Sequence, residues 1–135
     1  MSYSIDEIEG IGPTYAAKLG EVGIKTTEAY LERAKDPKGR KALEEETGID
    51  GKRILKWANM ADLMRISGVG EEYSELLEAA GVDTVKELKH RNAANLAEKM
   101  QEVNEAKKLV RQVPSESQVT KWVDQAKELP PMMTY

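Results

Sequence analysis

Two short segments of the sequence have residue types suited to binding an anion. They are residues 10–12 (Gly-Ile-Gly) and residues 68–70 (Gly-Val-Gly), in each of which two glycines flank one apolar residue. A glycine turn at the start of a helix leaves backbone N–H groups unpaired, and a phosphate can approach them because no side chain intervenes. Such a turn could contact the backbone of a nucleic acid without reading its sequence.

The first glycine turn is the predicted phosphate site because basic residues follow it. Lys18 lies in the helix after the turn, and Lys25 follows that helix. A cation beside the glycine amides would add charge attraction to the contact with a phosphate. The predicted nucleic-acid-binding residues are Gly10, Ile11, Gly12, Lys18 and Lys25.

The second glycine turn is followed by acidic residues, and the sequence predicts a different use for it. Carboxylates in the first turns of a helix occupy the free amides or repel an anion, so we expect this turn not to bind phosphate. A basic protein partner is the alternative ligand for this surface. The predicted protein-interaction residues are Glu71, Glu72, Glu75 and Glu78.

No residue set points to catalysis, and we expect neither an enzyme nor a bound metal or cofactor. The chain has no cysteine, which excludes disulfides, thiolate zinc ligands and a cysteine nucleophile. Its one histidine, His90, lies between Lys89 and Arg91 and is interpreted as a surface residue. The acidic run at residues 44–46 is not expected to hold one metal ion, because consecutive side chains on a helix point about 100° apart.

The charge balance argues against a general nucleic-acid-binding protein. The 135 residues include 20 Lys and Arg against 24 Asp and Glu, for a formal net charge of -4. Residues 1–65 contribute 11 basic and 12 acidic side chains, whereas residues 66–135 contribute 9 and 12. Since binding to a polyanion depends on a positive surface, any such contact is predicted in the first half of the chain.

An internal repeat determines the predicted domain organisation. When the two glycine turns are aligned, the matched pairs include Tyr15 with Tyr73, Leu19 with Leu77, Gly23 with Gly81, and Thr26 with Thr84. The alignment then drifts through an insertion near residues 93–106 and returns where Trp57 corresponds to Trp122. The chain is therefore predicted to contain one unit twice, at residues 1–62 and 63–135, here called the first unit and the second unit.

Apolar spacing and capping residues predict helices throughout both units. The helix after Asn92 is predicted to run through Met100, and the linker into the second unit is predicted near residues 60–65. The residues predicted to begin helices are Thr26, Asp36, Asp50, Thr84, Asn92 and Ser115. After each glycine turn, apolar residues recur at helical spacings of three and four, which is typical of one buried stripe. Alternation with a period of two is absent, so we predict no strands. The predicted fold class is all-α, with the two units packed as one compact pseudo-twofold domain through Trp57, Trp122 and the stripes that contain Tyr15 and Tyr73.

The apolar-Gly-apolar-Gly pattern resembles the helix-hairpin-helix signature at residues 8–13 and 66–70. The tandem arrangement, the tryptophan near the end of each copy and the stretch at residues 109–115 also resemble a bacterial family catalogued only as domain of unknown function 4332. A more distant similarity is to the paired hairpins of recombinases, DNA polymerases and DNA ligases. The resemblance implies a tandem helix-hairpin-helix fold (SAM/helix-hairpin-helix-like) and backbone binding, although Ser67 replaces a common proline and acidic residues follow the second hairpin.

Two functions are therefore predicted from the sequence. The first is a non-enzymatic module that contacts the DNA or RNA backbone through the first glycine turn, and the alternative is a protein-interaction adaptor or scaffold. A regulatory domain that assists an enzyme is a third possibility. No apolar run reaches the roughly 20 residues that span a bilayer, so we expect a cytoplasmic protein without a membrane partner or a small-molecule substrate. The apolar residues at 132–135 are predicted to be disordered or to dock on a neighbouring chain.

Overall fold

Eight α-helices and one short 3-10 helix form the part of the chain that the computed structural model describes, residues 3–135. The elements are the 3-10 helix Ile5–Glu7, α1 (Pro13–Glu21), α2 (Thr27–Ala34), α3 (Pro37–Thr47), α4 (Gly51–Leu63), α5 (Glu71–Ala79), α6 (Val85–Leu88), α7 (Ala93–Lys107) and α8 (Glu116–Glu128). These residues form no strand, only an isolated antiparallel bridge between Ser4 and Thr26. The predicted all-α class is confirmed. Met1 and Ser2, the first residues of the predicted first unit, lie outside the described residues.

Side-chain caps begin most of the helices where the sequence indicated. In each case the capping oxygen accepts a hydrogen bond from a backbone N–H in the first turn, which satisfies a donor that the helix itself leaves unpaired. These caps are Thr26, Asp36, Asp50, Thr84, Asn92 and Ser115. The first and fifth α-helices instead begin after Gly12 and Gly70, which have no side chain to offer.

Two helices extend further than the sequence indicated. The helix opened by Asn92 was predicted to end near Met100, but α7 continues to Lys107 and ends at Lys108, whose φ is 52°. Asn104 stabilises this end, because its side chain donates to the Val110 carbonyl at 3.1 Å and accepts from the Val110 N–H at 2.9 Å. The predicted linker near residues 60–65 is mostly the last turns of α4.

The buried side chains form two hydrophobic clusters that meet at α4. One cluster consists of residues of the first unit, including Tyr30, Ile54 and Trp57, together with Met64 and Met133. The second unit supplies the other cluster, which includes Trp122. The end of α4 takes part in both, since Met60 belongs to the first cluster and its near neighbour Leu63 to the second. The helix therefore joins the two cores directly. No helix in the described part of the chain is both long and apolar enough to cross a membrane.

The end of the chain packs on the first unit of the same molecule. Met133 is 7% exposed and belongs to the first hydrophobic cluster. The Thr134 N–H donates to the Lys35 carbonyl at 2.8 Å, and the Tyr135 hydroxyl donates to Asn59 Oδ1 at 2.8 Å. The prediction that this segment is disordered or docks on a neighbouring chain was wrong. Burial of Met133 and these hydrogen bonds favour the intramolecular position.

Candidate functional site

The two glycine turns have nearly the same backbone conformation. Gly10 has φ 95° and Gly68 has φ 93°, a region that residues with a side chain rarely occupy. The apolar residue inside each turn, Ile11 or Val69, is buried and donates its N–H to the carbonyl three residues earlier at 3.1 Å. Each turn therefore directs one apolar side chain into the core and places the following residue, Gly12 or Gly70, at the start of a helix.

An aromatic pair lies behind each glycine turn. The pairs are Tyr15 with Trp57, whose ring centroids are 5.1 Å apart, and Tyr73 with Trp122, whose ring centroids are 5.2 Å apart. A Cβ atom added at Gly10 would lie 3.3 Å from the nearest indole nitrogen, and one added at Gly68 would lie 3.2 Å from it. Glycine is thus required at both positions by its φ and by the close approach of the indole ring.

Each tryptophan packs within the cluster of its own unit. Trp57 belongs to the first hydrophobic cluster and Trp122 to the second, and both are 2% exposed. The prediction that the tryptophans join the two units was therefore wrong. The indole rings instead fill the space behind the glycine turns, and the units meet through α4, which also packs against α5.

The amides at the first glycine turn differ in their availability to a phosphate. Gly12 is exposed, and a Cβ atom added there would meet no atom within 4 Å. The Ile11 N–H is already donated to the Ile8 carbonyl at 3.1 Å, and Pro13 has no N–H to donate. An anion at this turn would therefore rely on Gly12 and on the first amides of α1.

The two predicted lysines lie beyond this turn. Lys18 is exposed in the last turn of α1, and Lys25 is exposed in the loop that follows, with its carbonyl accepting the Ile5 N–H at 3.0 Å. Neither lysine has an acidic partner within 4.0 Å among residues 3–135. Both ammonium groups are therefore free to meet a ligand.

Arg53 is a further basic residue near the first turn, outside the predicted site, because the sequence around it indicates a mixed and solvated face. Its guanidinium carbon lies 5.7 Å from the centre of the Tyr15 ring, and its side chain forms an ion pair with Asp50. This pair lowers the pKa of the Asp50 carboxyl below its ordinary value. Arg53 precedes Trp57 by one helical turn of α4, and that spacing could have placed it beside the aromatic pair.

Carboxylates from both units converge beside the first glycine turn. The carboxyl of Glu71 at the start of α5 lies beside that of Glu9, which immediately precedes Gly10. When one of these carboxyls is protonated it can donate a hydrogen bond to the other. This interaction, followed by partial burial and by the charges of Glu9, Glu72 and Glu7, raises the pKa of Glu71 from 4.5 to about 6. Two carboxyls in contact favour holding a proton, because both cannot be ionised without repulsion. A phosphate at the first turn would meet the same repulsion.

The four predicted acidic residues do not share one environment. Glu71 and Glu72 are exposed at the start of α5, and Glu72 lies 3.7 Å from Arg111 Nε. Glu75 and Glu78 are half-buried further along the helix, and their burial raises the pKa of both carboxyls. Lys56 of α4 partly opposes these two shifts. In residues 3–135 the buried Oε2 of Glu78 has no hydrogen-bond partner.

The second glycine turn is held from outside by a glutamine. Gln125 Oε1 accepts the Ser67 N–H at 3.0 Å, and its Nε2 donates to the Ser67 carbonyl at 3.3 Å. The Ser67 amide is therefore occupied within the molecule. The repeat did not reveal this contact, because the buried Met60 is the residue at the corresponding position of the first unit.

The fold and these turns define a class of all-helical protein in which each of two glycine turns is backed by a Tyr–Trp pair. In the described residues, no group of three or more histidine or acidic side chains is placed to hold a metal ion. The family model described as "Domain of unknown function (DUF4332)" matches residues 9–129, which include both turns and all eight α-helices. The chain belongs to this family. Comparisons with curated proteins and with solved structures found no match.

Proposed function

We propose that the protein is a non-enzymatic binding module whose acidic face takes up a basic segment of a partner protein. The acidic face comprises Glu7, Glu9, Glu71, Glu72 and Glu75. The observation that carries this proposal is the contact between the carboxyls of Glu9 and Glu71, which come from different units. A lysine or arginine side chain between them would replace their repulsion with attraction.

The same contact distinguishes the protein partner from a nucleic acid. A phosphate at the first glycine turn would approach Glu9, which immediately precedes the turn, and the carboxylates around Glu9 would repel it. A basic segment gains from these charges and could also approach Glu72. Electrostatic complementarity of this kind speeds association and selects the partner by charge.

We further propose that the two units are helix-hairpin-helix units related by a pseudo-twofold axis. This proposal is supported by the matched φ values of Gly10 and Gly68 and by the matched Tyr–Trp distances. The turn after each first helix also matches, since the N–H groups of Ile24 and Val82 both donate at 2.9 Å to a leucine carbonyl five residues earlier.

The proposal is tested by fluorescence anisotropy with a labelled eight-lysine peptide, at about 20 mM and about 150 mM salt. We expect the natural chain to bind at low salt and the double variant Glu9→Gln and Glu71→Gln to bind at least about fivefold more weakly. The matched control is Glu98→Gln with Glu102→Gln, which removes two exposed carboxylates from α7. No binding by the natural chain, or equal weakening in both double variants, would contradict the proposal.

A second candidate function is binding of a nucleic-acid backbone at the first glycine turn. It is favoured by the open space at Gly12 and by the unpaired Lys18 and Lys25. The test is anisotropy with labelled single-stranded and duplex DNA under the same two salt conditions. Salt-sensitive binding that is lost in Lys18→Glu but kept in the control Lys99→Glu would support this function. The absence of binding at low salt would exclude it.

A further inference from the structure

The last residues of the chain cross from the second unit to the first. The helix α8 ends at Glu128, and Leu129 continues in an extended conformation with φ -88° and ψ 137°. Ala126 on α8 belongs to the second hydrophobic cluster, whereas Met133 belongs to the first. We call residues 130–135 the strap, because this short segment contacts both units.

An arginine holds the beginning of the strap. Arg65 Nη2 donates to the Pro130 carbonyl at 2.6 Å, and Arg65 Nη1 donates to Asp62 Oδ1 at 2.7 Å. Asp62 is only 1% exposed, and its Oδ2 accepts the Val85 N–H at 2.8 Å. This anchor therefore joins the strap to the end of α4 and to the first residue of α6.

A second arginine holds the far end of the strap. Arg40 Nη2 donates to the Thr134 carbonyl at 2.6 Å, while its Nη1 donates to the Ala34 carbonyl at 2.9 Å. The Arg40 guanidinium also lies 5.4 Å from the centre of the Tyr135 ring. Because the Thr134 N–H donates to the Lys35 carbonyl, both backbone groups of Thr134 are bound to the first unit.

The strap is not packed tightly along its whole length. A cavity of about 280 Å³ is lined by Leu129 and Met132 together with Leu31 of α2 and Ala61 of α4. Met132 is nevertheless partly buried against the first hydrophobic cluster. The strap is therefore attached by the two arginines, by the packing of Met132 and Met133, and by the hydrogen bonds of Thr134 and Tyr135 described above.

We propose that the strap is a conformational device that fixes the two units in one orientation and makes them unfold together. With the strap in place, opening either core disturbs a segment that the other unit also holds. Without it, the units remain joined through α4 but can open independently. This inference does not depend on the ligand of the acidic face.

The chain provides one fluorescent reporter in each unit, because Trp57 and Trp122 are its two tryptophans and lie in different clusters. Trp122→Phe leaves the reporter of the first unit, and Trp57→Phe leaves that of the second. In each single-tryptophan chain, fluorescence follows one unit while far-UV circular dichroism follows all the helices, so the two probes can be compared within the same chain during urea unfolding. We expect their midpoints to coincide when the strap is intact, and to differ by about 1 M urea when the chain ends at Pro131.

Arg40→Met is the milder variant, because it keeps the apolar stem and all the residues of the strap but removes the donors to Thr134 and Ala34. Arg40→Met should also separate the unfolding transitions of the two units, but by less urea than the truncation does. If the truncated chain does not fold, the result for Arg40→Met tests the proposal alone. Arg111→Met is the matched control, since Arg111 is exposed and makes no hydrogen bond to the strap. Its transitions should coincide.

Transitions that are already separate in the intact chain would overturn the proposal. So would transitions that still coincide in the truncated chain, because the strap would then contribute only stability. Separation of equal size in Arg111→Met would also overturn it, since the effect would not belong to the strap. Separation in the truncated chain and in Arg40→Met alone supports it.

Discussion

In both units, the first residue of the second helix donates its backbone N–H to a residue outside that helix, but the acceptor is a backbone carbonyl in one unit and a carboxylate in the other. In the first unit, the Thr27 N–H at the start of α2 donates to the Tyr3 carbonyl at 2.8 Å. In the second unit, the matched Val85 N–H at the start of α6 donates to the carboxylate of Asp62 at 2.8 Å. The repeat thus retains the position of the donor, while the acceptor depends on what precedes each unit.

The difference follows from the chain segment at the entrance of each unit. At the start of the first unit, the extended Ser4 pairs with Thr26, the residue before α2, whereas the helix α4 leads into the second unit. The last carbonyls of a helix have no partner within the helix, but those of Met60, Asp62 and Leu63 accept the N–H groups of the three residues that follow α4. The Asp62 side chain accepts the Val85 N–H instead. A buried carboxylate then needs a cation, and Arg65 supplies it.

Asp62→Ala should have the largest effect among the variants that compare the two units. It removes the acceptor of the Val85 N–H and leaves Arg65 without its carboxylate partner, so we expect the free energy of unfolding to fall by about 3 kcal/mol. The matched residue of the first unit is Ser4, the exposed N-cap of the 3-10 helix, and Ser4→Ala should cost no more than about 1 kcal/mol. Urea unfolding measures both. Equal losses would show that the two entrances do not differ in energy.

Replacing the first glycine of each turn by alanine should lower the stability of the protein by a similar amount in the two units. Gly10→Ala and Gly68→Ala each force a side chain into a positive-φ conformation and towards an indole nitrogen, so each should cost about 2 kcal/mol. Gly12→Ala is the control, since its φ is -84° and its surroundings are open, and it should cost less than about 1 kcal/mol. Thermal unfolding compares them. A loss of stability in only one of Gly10→Ala and Gly68→Ala would contradict the prediction that the two turns are equivalent.

Tyr30→Phe should destabilise the first unit, because it removes one buried hydrogen bond. The Tyr30 hydroxyl donates to the Ile54 carbonyl at 2.7 Å, and burial raises the pKa of the hydroxyl, so it remains a donor at alkaline pH. We expect a loss of about 1.5 kcal/mol in the free energy of unfolding. The matched residue of the second unit is Leu88, which has no hydroxyl to lose. Tyr135→Phe, the same change at an exposed tyrosine, should cost less than about 0.5 kcal/mol in urea unfolding.

Glu71→Gln should alter the pH dependence of stability by a small amount. The pKa of Glu71 is raised from 4.5 to about 6 in the folded chain, so the folded state holds this proton more tightly than the unfolded state does. Its contribution to stability is complete below pH 4.5 and is lost as the pH rises through about 6. Because Glu71 is exposed, the change amounts to a few tenths of a kcal/mol.

Urea unfolding between about pH 4.5 and pH 7.5 tests this expectation. The natural chain should lose more of its free energy of unfolding over that interval than Glu71→Gln does. Glu98→Gln, which changes an exposed carboxylate on α7, should follow the natural chain. A natural chain that gains stability from this group as the pH rises would contradict the sign.

The features that the sequence predicted correctly depend on residues close together in the chain. Thr26 and Thr84 cap their helices through amides three residues later, and Gly10 and Gly68 adopt the conformation for which glycine is suited. A cap or a turn involves only a few neighbouring residues, so its composition is sufficient to indicate it. The family resemblance likewise rests on such local patterns.

The features that the sequence did not reveal join residues far apart in the chain. The burial of Asp62 depends on α6, the strap depends on Arg40 and Arg65, and the contact of Glu9 with Glu71 depends on how the two units pack. Nothing near Glu9 in the sequence indicates a carboxylate from the other unit. The candidate site was therefore predicted as two separate turns, whereas its charges belong to a surface that both units form.

The position of Met133 has a consequence for the order in which the protein can mature during translation. Its side chain lies in the core of the unit that the ribosome makes first, yet it is made after all the helices of the second unit. The first unit therefore leaves the ribosome with part of its core surface uncovered until the second has been synthesised. Complete folding of the first half must then wait for the second, which favours maturation of the two units as a pair.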